Sequence, residues 1–309
     1  MDLRQLRYFL AVAEAGGFSR GAERVHIAQP ALSAHVARLE DELGTSLFTR
    51  SSKGVELTQA GTVLVDHANE ILRRVRNVPD AVRHAAKEVH GEVSLGLPTT
   101  VSMVLTLPLL HQVRTQWPNI TLRLLEGHSG WLQEWLAAGR IDAAVLFGVA
   151  SGRGLKVVPL LDENLFLVSA PDAPGMSISD TIDMSEVSSY DLMLPAQGHG
   201  LRTIIDRAAA LAAMVLNVTI EMDSLASIKK ATAAGLGHTI LSRAAIADEV
   251  RRGELVAREI INPTVMRSVV YATREERMSG LAHTKVGEAL REQIVDLVGS
   301  GQWPARLRL

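Results

Sequence analysis

The sequence predicts an α+β protein of several domains, and three observations support this class. The first 58 residues contain three short segments with helical spacing of apolar residues, and a Lys-Gly turn between two short apolar runs follows them. A longer helical segment then continues to about residue 90. Beyond Gly91, buried-looking strands alternate with helices, which is typical of a parallel sheet covered by helices on both faces.

The composition fits a globular protein and excludes several classes of function. Of the 309 residues, 47% are hydrophobic and 21% are charged, and 32 Lys and Arg against 34 Asp and Glu give a formal net charge of −2. This balance argues against a chain coated with nucleic acid, but it allows one small module with a basic face. The absence of cysteine excludes disulfides and thiolate zinc sites. Without a signal peptide or an apolar run of about 18 residues, we expect a cytoplasmic protein with no membrane contact.

The boundaries of the three N-terminal helices follow from their capping residues. The first helix is expected to end at Gly16-Gly17, and Ser19 is the predicted N-cap of the second. Pro30 suits the first position of the third helix, because its missing N–H would have no partner there. One side of this third helix is predicted to be buried through Leu32, Val36, Leu39 and Leu43.

The polar residues left on the outer face of this module suit the chemistry of duplex DNA. Glutamine forms paired hydrogen bonds with adenine, and arginine binds guanine or phosphate. Serine is a flexible donor or acceptor, and the free amides of a helix N-terminus attract phosphate. The predicted DNA-binding residues, which lie on the second helix, the third helix and the wing, are Ser19, Arg20, Gln29, Pro30, Ser33, His35, Arg38, Arg50 and Lys53.

Four segments of this region resemble the LysR-type transcriptional regulators: the runs 22–33, 39–44, 47–50 and 57–61. Among them, Gln-Pro-Ala-Leu-Ser at 29–33 and Leu-Thr-x-Ala-Gly at 57–61 are the sharpest. The chain departs from the family at Ala28, where Ser or Thr is usual, and at Gly21, where alanine is usual. The sensor portion resembles the nitrogen-assimilation-control-like members of the family.

The resemblance implies a domain order and a set of partners. A winged helix-turn-helix is expected over residues 1–58, a linker or dimerisation helix over 59–90, and a two-lobed α/β domain like periplasmic binding proteins, which binds the effector, over 91–309. The implied partners are a dyad-symmetric DNA operator, a small anionic effector, further copies of the chain as a dimer or a homotetramer, and RNA polymerase. Neither a cofactor nor an enzymatic activity is expected.

The linker helix carries a long apolar stripe that admits two interpretations. Its residues are Val63, Leu64, Ala68, Ile71, Leu72 and Val75. They could pack on a second copy of the helix in a dimer, or in part on the N-terminal module of the same chain. Pro79 removes a helical hydrogen bond and clashes with the preceding turn, so a kink or break is expected between residues 75 and 79.

The effector domain is expected to form a clamp. Lobe I is predicted over 91–162 and 267–300 and lobe II over 163–266, with crossings near Leu161 and Pro263 by resemblance. Ligands of such sheets lie at the carboxyl ends of strands, where helix N-termini converge. The polar residues predicted at these ends are Thr99, Thr100, Ser102, His128, Ser129, Gln197, His199, Asp223 and Thr239. By resemblance, Thr100 and Ser129 match hydroxyls that hold an effector carboxylate, although such hydroxyls also serve as ordinary N-caps.

Two other classes of function are alternatives to a regulator. The run Gly-His-Ser-Gly-Trp at 127–131 is similar to the nucleophile elbow of hydrolases, but Trp131 occupies the position of a required glycine. A solute-binding protein without regulatory output would explain the clamp and would leave the first 90 residues unexplained. The sequence therefore favours a DNA-binding regulator controlled by a small molecule.

Overall fold

The structure is a computed structural model, and it describes residues 1–51, 54–84, 89–148, 154–173, 179–275 and 280–308. The chain divides into two compact units. The first comprises Met1–Glu88 with Ala138–Arg140, and the second comprises Val89–Ala137 with Ile141–Leu309. Within the described ranges, no helix is both long enough and apolar enough to span a bilayer.

The first unit is a helical module with a β hairpin. Its elements are α1 (Leu3–Ala15), α2 (Phe18–Arg24), α3 (Gln29–Leu43), β1 (Phe48–Ser51), β2 (Gly54–Leu57) and α4 (Gln59–His84). Asp2 begins α1 with a capping box, in which its side chain accepts from the Gln5 amide while the Gln5 side chain accepts from the Asp2 amide. The core is formed by apolar side chains of α1, α3 and the hairpin, and α4 contributes Val65 and Ala68 to it. Part of the stripe on α4 thus packs on its own module.

Several boundaries in this unit differ from the sequence prediction. Gly17 rather than Ser19 precedes α2, so the N-cap prediction was wrong and Ser19 lies inside the helix. Pro30 is the second residue of α3, not the first. Leu43 is 41% exposed instead of buried, because it is the last residue of α3 and the last turn of the helix does not pack against the core. The helix α4 continues through Pro79 to His84, so the chain does not break there, and the alternative of a kink stays a prediction.

Two motif residues join α4 to the hairpin. The Thr58 hydroxyl donates to the Ser46 carbonyl at 2.8 Å and accepts from the Gly61 amide at 3.0 Å, so it caps α4 and fastens the chain before β1. A Cβ added at Gly61 would overlap the Leu47 carbonyl oxygen and lie 2.9 Å from Leu57 Cδ2. In the Leu-Thr-x-Ala-Gly run, the threonine therefore caps α4 and the glycine allows the helix to lie close to the Leu47 carbonyl.

The second unit alternates strands and helices along most of its length. Its elements are β3 (Gly91–Leu97), α5 (Thr99–Gln116), β4 (Ile120–Glu126), α6 (Ser129–Ala137), β5 (Ala143–Phe147), β6 (Leu155–Ser169), β7 (Thr181–Asp183), α7 (Met184–Val187), β8 (Leu192–Leu194), α8 (Gly200–Leu211), β9 (Val218–Glu221), α9 (Leu225–Ala233), β10 (Thr239–Ser242), a 3-10 helix (Arg243–Ile246), α10 (Ala247–Arg251), β11 (Val256–Ile261), β12 (Met266–Arg274), α11 (Leu281–Gly299) and β13 (Arg306–Leu307).

The strands of this unit form two lobes that share the long strand β6. In lobe I, β3 lies parallel to β4 and β5, while β12 is antiparallel to β5 and β6. In lobe II, β10 and β11 are antiparallel to β6, and β8 pairs in parallel with β9. The predicted parallel pairing is found for β3 with β4 and β5, for β8 with β9 and for β7 with β11, whereas β6 pairs antiparallel with β10, β11 and β12. The first crossing, predicted near Leu161, is the unbroken strand β6, and the second is the β11–β12 connection that contains Pro263.

Each lobe has its own hydrophobic core. In lobe I, α5 and α11 cover one face of the sheet around Leu105 and Leu290, and α6 covers the other face with Leu132 and Leu136. In lobe II, the core is built around strands β6, β8 and β10 and helix α8, whose Ile205 is fully buried. Because the two cores are separate, the polar residues at the strand ends between the lobes are not part of either core and can line a ligand site.

Replacing Gly61 by Ala should destabilise the first unit by about 2–3 kcal/mol, because the added methyl group overlaps main chain that cannot move aside cheaply. Gly130→Ala is the matched control, since that helical glycine has nothing within 4 Å of an added Cβ. Urea unfolding of the full chain should be followed by circular dichroism and by tryptophan fluorescence. All four tryptophans lie beyond residue 116, so Gly61→Ala should move part of the dichroism transition and leave the fluorescence transition in place. Equal stability of the two variants would contradict the packing argument.

Candidate functional site

The N-terminal half of α3 presents an exposed polar face in the first unit. Gln29, Pro30 and Arg38 are exposed and Ser33 is half-buried, while Leu32 on the opposite side of the helix is fully buried. Ala28 precedes the helix and offers no side-chain cap, Pro30 has no N–H, and the Ala31 amide donates to the Ala28 carbonyl at 3.0 Å. A face with an amide side chain, a hydroxyl and a guanidinium is suited to base edges and phosphates.

The remaining residues of the predicted DNA-binding set fall into three groups. Ser19 and Arg20 are exposed on α2, and Arg20 Nη2 donates to the Gly16 carbonyl at 3.3 Å. The His35 ring packs edge-on against Tyr8 at a centroid distance of 5.0 Å, so His35 faces α1 rather than the outer side of α3. Its assignment to the DNA-facing set stays a prediction. Arg50 lies in β1, while its side chain and all of Lys53 are outside the described residues.

The half-buried carboxylate of Glu40 holds the hairpin to α3. Glu40 Oε1 accepts from the amides of Leu47 at 2.7 Å and Phe48 at 3.3 Å, which are the residues that lead into β1. The orientation of the wing relative to α3 is thus set by the side chain of the helix itself. A fixed wing can contact the backbone beside the groove that the helix enters.

In the second unit, a cavity of about 70 Å³ lies between the two lobes. Residues from the strand ends and helix starts of both lobes line it: Pro98, Thr99, Thr100, Gly127, His128, Ser129, Phe147 and Arg267 from lobe I, and Pro195, His199, Gly200, Leu201, Asp223, Leu225, Ile228 and Leu241 from lobe II. Six of the nine predicted effector residues are in this lining. The structure therefore brings these six together, from segments more than 120 residues apart in the chain.

Helix starts converge on this cavity from both lobes. The first residues of α5, α6, α8 and α9 all line it. At α5 the preceding residue is Pro98, which provides no side-chain cap, whereas α8 is capped by His199 Nδ1, which accepts from the Leu201 amide at 3.1 Å. Helix N-termini carry partial positive charge, and uncapped amides at α5 leave donors available to an anion.

Two hydroxyls of the cavity each accept one hydrogen bond from the protein. Thr100 Oγ1 accepts from Arg267 Nη2 at 2.9 Å, and Ser129 Oγ accepts from the Phe147 amide at 3.0 Å. Because each oxygen already accepts from the protein, each hydroxyl hydrogen points away from that donor. Both groups are then available to donate to an acceptor such as a carboxylate.

A buried ion pair lies at the base of the cavity. Arg267 Nε contacts Glu163 Oε1 at 2.6 Å, and both side chains are 2% exposed. Arg267 Nη2 also donates to Ser242 Oγ at 3.1 Å, and Trp303 Nε1 donates to the second Glu163 oxygen at 2.9 Å. The guanidinium carbon stacks 3.8 Å from the centre of the Phe147 ring. Glu163 compensates the charge of Arg267, so the arginine adds little positive potential to the cavity. Its main effect is to orient the hydroxyls of Thr100 and Ser242.

Two histidines meet across the cleft. The rings of His128 from lobe I and His199 from lobe II are perpendicular, with a centroid distance of 4.6 Å. Burial lowers the pKa of His199 below its usual value, and the charges of His128 and Arg267 lower it further, while Asp223 opposes the change. His199 is therefore neutral near pH 7 and keeps Nδ1 free to cap α8.

Three predicted effector residues lie outside the cavity, and one important pair was missed. Ser102 is a turn further along α5 and its hydroxyl is hydrogen-bonded to Thr106, Gln197 is exposed, and Thr239 is fully buried within β10. Arg267 and Glu163 were not predicted. In the sequence, Glu163 is a charged residue near the predicted crossing and Arg267 is a charged residue in an apolar strand. The residues next to each of them do not indicate that the two side chains pair.

A larger groove in the second unit does not share these features. It has a volume of about 620 Å³ and lies between α5, α10 and the segment after α11. Its walls include Met103, Leu107 and Arg251, and no parallel strand ends at it. The smaller cavity between the lobes is therefore the candidate ligand site. Among the described residues, no cluster of His, Asp or Glu side chains is suited to hold a metal ion.

A winged helix-turn-helix and a two-lobed domain with a polar cavity define a DNA-binding regulator that responds to a small molecule. Two family profiles match the chain: "Bacterial regulatory helix-turn-helix protein, lysR family" over residues 3–62, and "LysR substrate binding domain" over residues 86–294. The chain belongs to the LysR family. It is a DNA-binding transcriptional regulator with an effector-binding domain, and not an enzyme.

Relatives and solved structures agree with this assignment. The nitrogen assimilation regulatory protein nac of Klebsiella aerogenes is 37% identical over 79% of each chain, and the regulator BbuR of Bordetella bronchiseptica is 30% identical over 98% of this chain and 93% of BbuR. Full-length OxyR from Pseudomonas aeruginosa superposes with a TM-score of 0.73 at 28% identity, covering 95% of this chain and 94% of OxyR. CbnR in complex with its target DNA has a TM-score of 0.68 at 25% identity and coverage of 95% and 100%. The family resemblance of the sequence is thereby confirmed.

Replacing His199 by Asn should weaken the acid dependence of stability. Since the folded state holds the His199 pKa below 6.5, the unfolded chain binds more protons just below that pH, and the unfolding free energy falls as the pH drops from 6.5. Asparagine can still accept from the Leu201 amide, so the cap is retained while the titration is removed. Urea unfolding followed by tryptophan fluorescence between about pH 5 and 7.5 measures the slope. A slope identical in both proteins would contradict the assigned pKa direction.

Proposed function

We propose that the chain regulates transcription by inserting α3 of paired modules into successive major grooves of a dyad-symmetric operator, under the control of an effector with an anionic group. The observation that carries the effector proposal is a pair of hydroxyls in one cavity, Thr100 and Ser129, which each accept from the protein and keep a hydrogen to donate to a ligand. Neutral or cationic ligands without acceptors would leave these donors unpaired, which costs binding free energy.

The operator part of the proposal rests on α3. Gln29, Ser33 and Arg38 are the residues assigned to base edges and phosphates, and Arg20 on α2 is assigned to the phosphate backbone. A dyad-symmetric site requires at least two copies, and we propose a homodimer that pairs into a homotetramer. We also propose that the bound regulator contacts RNA polymerase, in the cytoplasm where the operator lies.

The effector part of the proposal rests on the two-lobed cavity. A ligand that contacts both lobes binds the closed arrangement better than an open one, so it shifts the population toward closure. Effector binding changes operator affinity by the coupling free energy between the effector site and the DNA site, which is typically about 1–3 kcal/mol. The proposal assigns Thr99, Thr100, His128, Ser129, His199 and Asp223 to the effector.

Replacing Gln29 or Arg38 by Ala should weaken specific operator binding by about 10-fold to 100-fold, because each side chain is assigned a base or phosphate contact. Operators are first selected from genomic fragments, and binding is then measured by fluorescence anisotropy at fixed salt. Arg291→Ala, an exposed arginine of α11 in the second unit, is the control for loss of one positive charge. Affinity that is unchanged in both α3 variants would reject the assigned DNA-binding face.

Replacing Thr100 by Val should abolish the response to a carboxylate effector and leave operator binding by the ligand-free protein unchanged. A thermal-shift screen of the full chain against aromatic acids, amino acids and central metabolites supplies the ligand, since 100 times the dissociation constant adds about 2.7 kcal/mol of stability. Thr100→Ser is the matched control, because it keeps the hydroxyl that accepts from Arg267. If valine and serine variants respond equally, the hydroxyl does not contact the effector.

A further inference from the structure

The charges lining the cavity do not cancel within the protein. Arg267 is compensated by Glu163 at 2.6 Å, in a pair excluded from solvent. Asp223 has a different environment: its Oδ1 accepts from the Ala196 amide at 3.0 Å, and no ion pair to it is formed in the described part of the chain. One negative charge of the cavity wall therefore remains without a cationic partner.

The histidine beside Asp223 does not supply that charge. Asp223 attracts a proton to His199, but burial, His128 and Arg267 act in the opposite direction, and the pKa of His199 is lowered overall. Protonation of Nδ1 would also break the hydrogen bond from the Leu201 amide that caps α8. His199 thus stays neutral near pH 7, and the Asp223 carboxylate is available to a positive group of a ligand.

The two lobes therefore present opposite chemistry to the same small space. Lobe I supplies the Thr100 and Ser129 hydroxyl donors and the uncapped start of α5, and lobe II supplies the Asp223 carboxylate. Asp223 is exposed, so solvent weakens its repulsion of an anion, but a ligand with anionic groups alone would still leave this carboxylate without a positive partner. A ligand with an additional ammonium group would pair with Asp223 instead.

We propose that the effector is a small zwitterion, such as an α-amino acid, whose carboxylate binds the lobe I hydroxyls and whose ammonium group binds Asp223. Because the cavity volume is about 70 Å³, the ligand is expected to be small. Its two charged groups then lie close together and not at the ends of a long chain. This inference rests on the proposed function, because it refines the anionic effector to a ligand that carries both charges. Each charged group binds one lobe, so the ligand itself links the lobes.

The test compares matched ligands on the full-length protein. Each protein amino acid is titrated by calorimetry beside the carboxylic acid that lacks its α-amino group. We expect at least one amino acid to bind about 10-fold to 100-fold more tightly than its deaminated partner, the range typical of a charge-assisted hydrogen bond. Failure of every amino acid to bind overturns the zwitterion proposal, whereas binding of deaminated acids in that case leaves the anionic-effector proposal standing.

The residue assignment is tested with Asp223→Asn. The asparagine oxygen can still accept from the Ala196 amide, so the loop before α9 is kept while the charge is removed. We expect this variant to bind the amino acid and its deaminated partner with similar affinity, and Asp296→Asn, an exposed carboxylate of α11, to keep the wild-type preference. A preference that persists in Asp223→Asn overturns the assignment. The wild-type comparison of matched ligands decides the ligand class even if this variant folds poorly.

Discussion

The buried pair of Arg267 and Glu163 is the interaction on which the effector domain depends. An arginine that is almost fully excluded from water requires a compensating carboxylate and acceptors for its N–H groups. Glu163, Thr100 and Ser242 provide these from β6, α5 and β10, and the Phe147 ring covers the guanidinium face. The pair contributes little net stability compared with an apolar replacement, but removing one partner would leave a buried charge, at a cost of about 3–5 kcal/mol.

The same pair determines the chemistry of the cavity above it. Because Arg267 donates to Thr100, the hydroxyl hydrogen of the threonine is directed away from the guanidinium and can donate to a ligand, and the Phe147 amide orients Ser129 in the same way. Polar groups that are already half-satisfied by the protein have a defined direction and discriminate between ligands. Asp223 on the opposite lobe also accepts a main-chain hydrogen bond, from the Ala196 amide, but no ion pair to it is formed in the described residues. The asymmetry between the lobes is therefore built from main-chain and buried side-chain bonds, and it exists before a ligand arrives.

In the DNA-binding module, the residues that carry the family resemblance divide into structural and recognition roles. Thr58 and Glu40 fasten α4 and α3 to the hairpin, and Gly61 allows the close approach of α4 to the Leu47 carbonyl. Their task is to hold α3 and the wing in one fixed relation. Gln29 and Arg38 make no comparable contacts in the described residues and lie on the exposed face, where we propose that they contact DNA.

The sequence by itself determined the helix-turn-helix, the wing and the alternation of strands and helices, because hydrophobic period and capping chemistry act over a few residues. Thr100 and Ser129 were indicated by resemblance to the LysR family. Only the tertiary structure decided that Arg267 pairs with Glu163, 104 positions away, and that β6 crosses between the lobes as one strand. Local patterns carry no information about such distant partners. The same reason explains why His35 packs on Tyr8 and why Thr239 lies inside a core and not in the cleft.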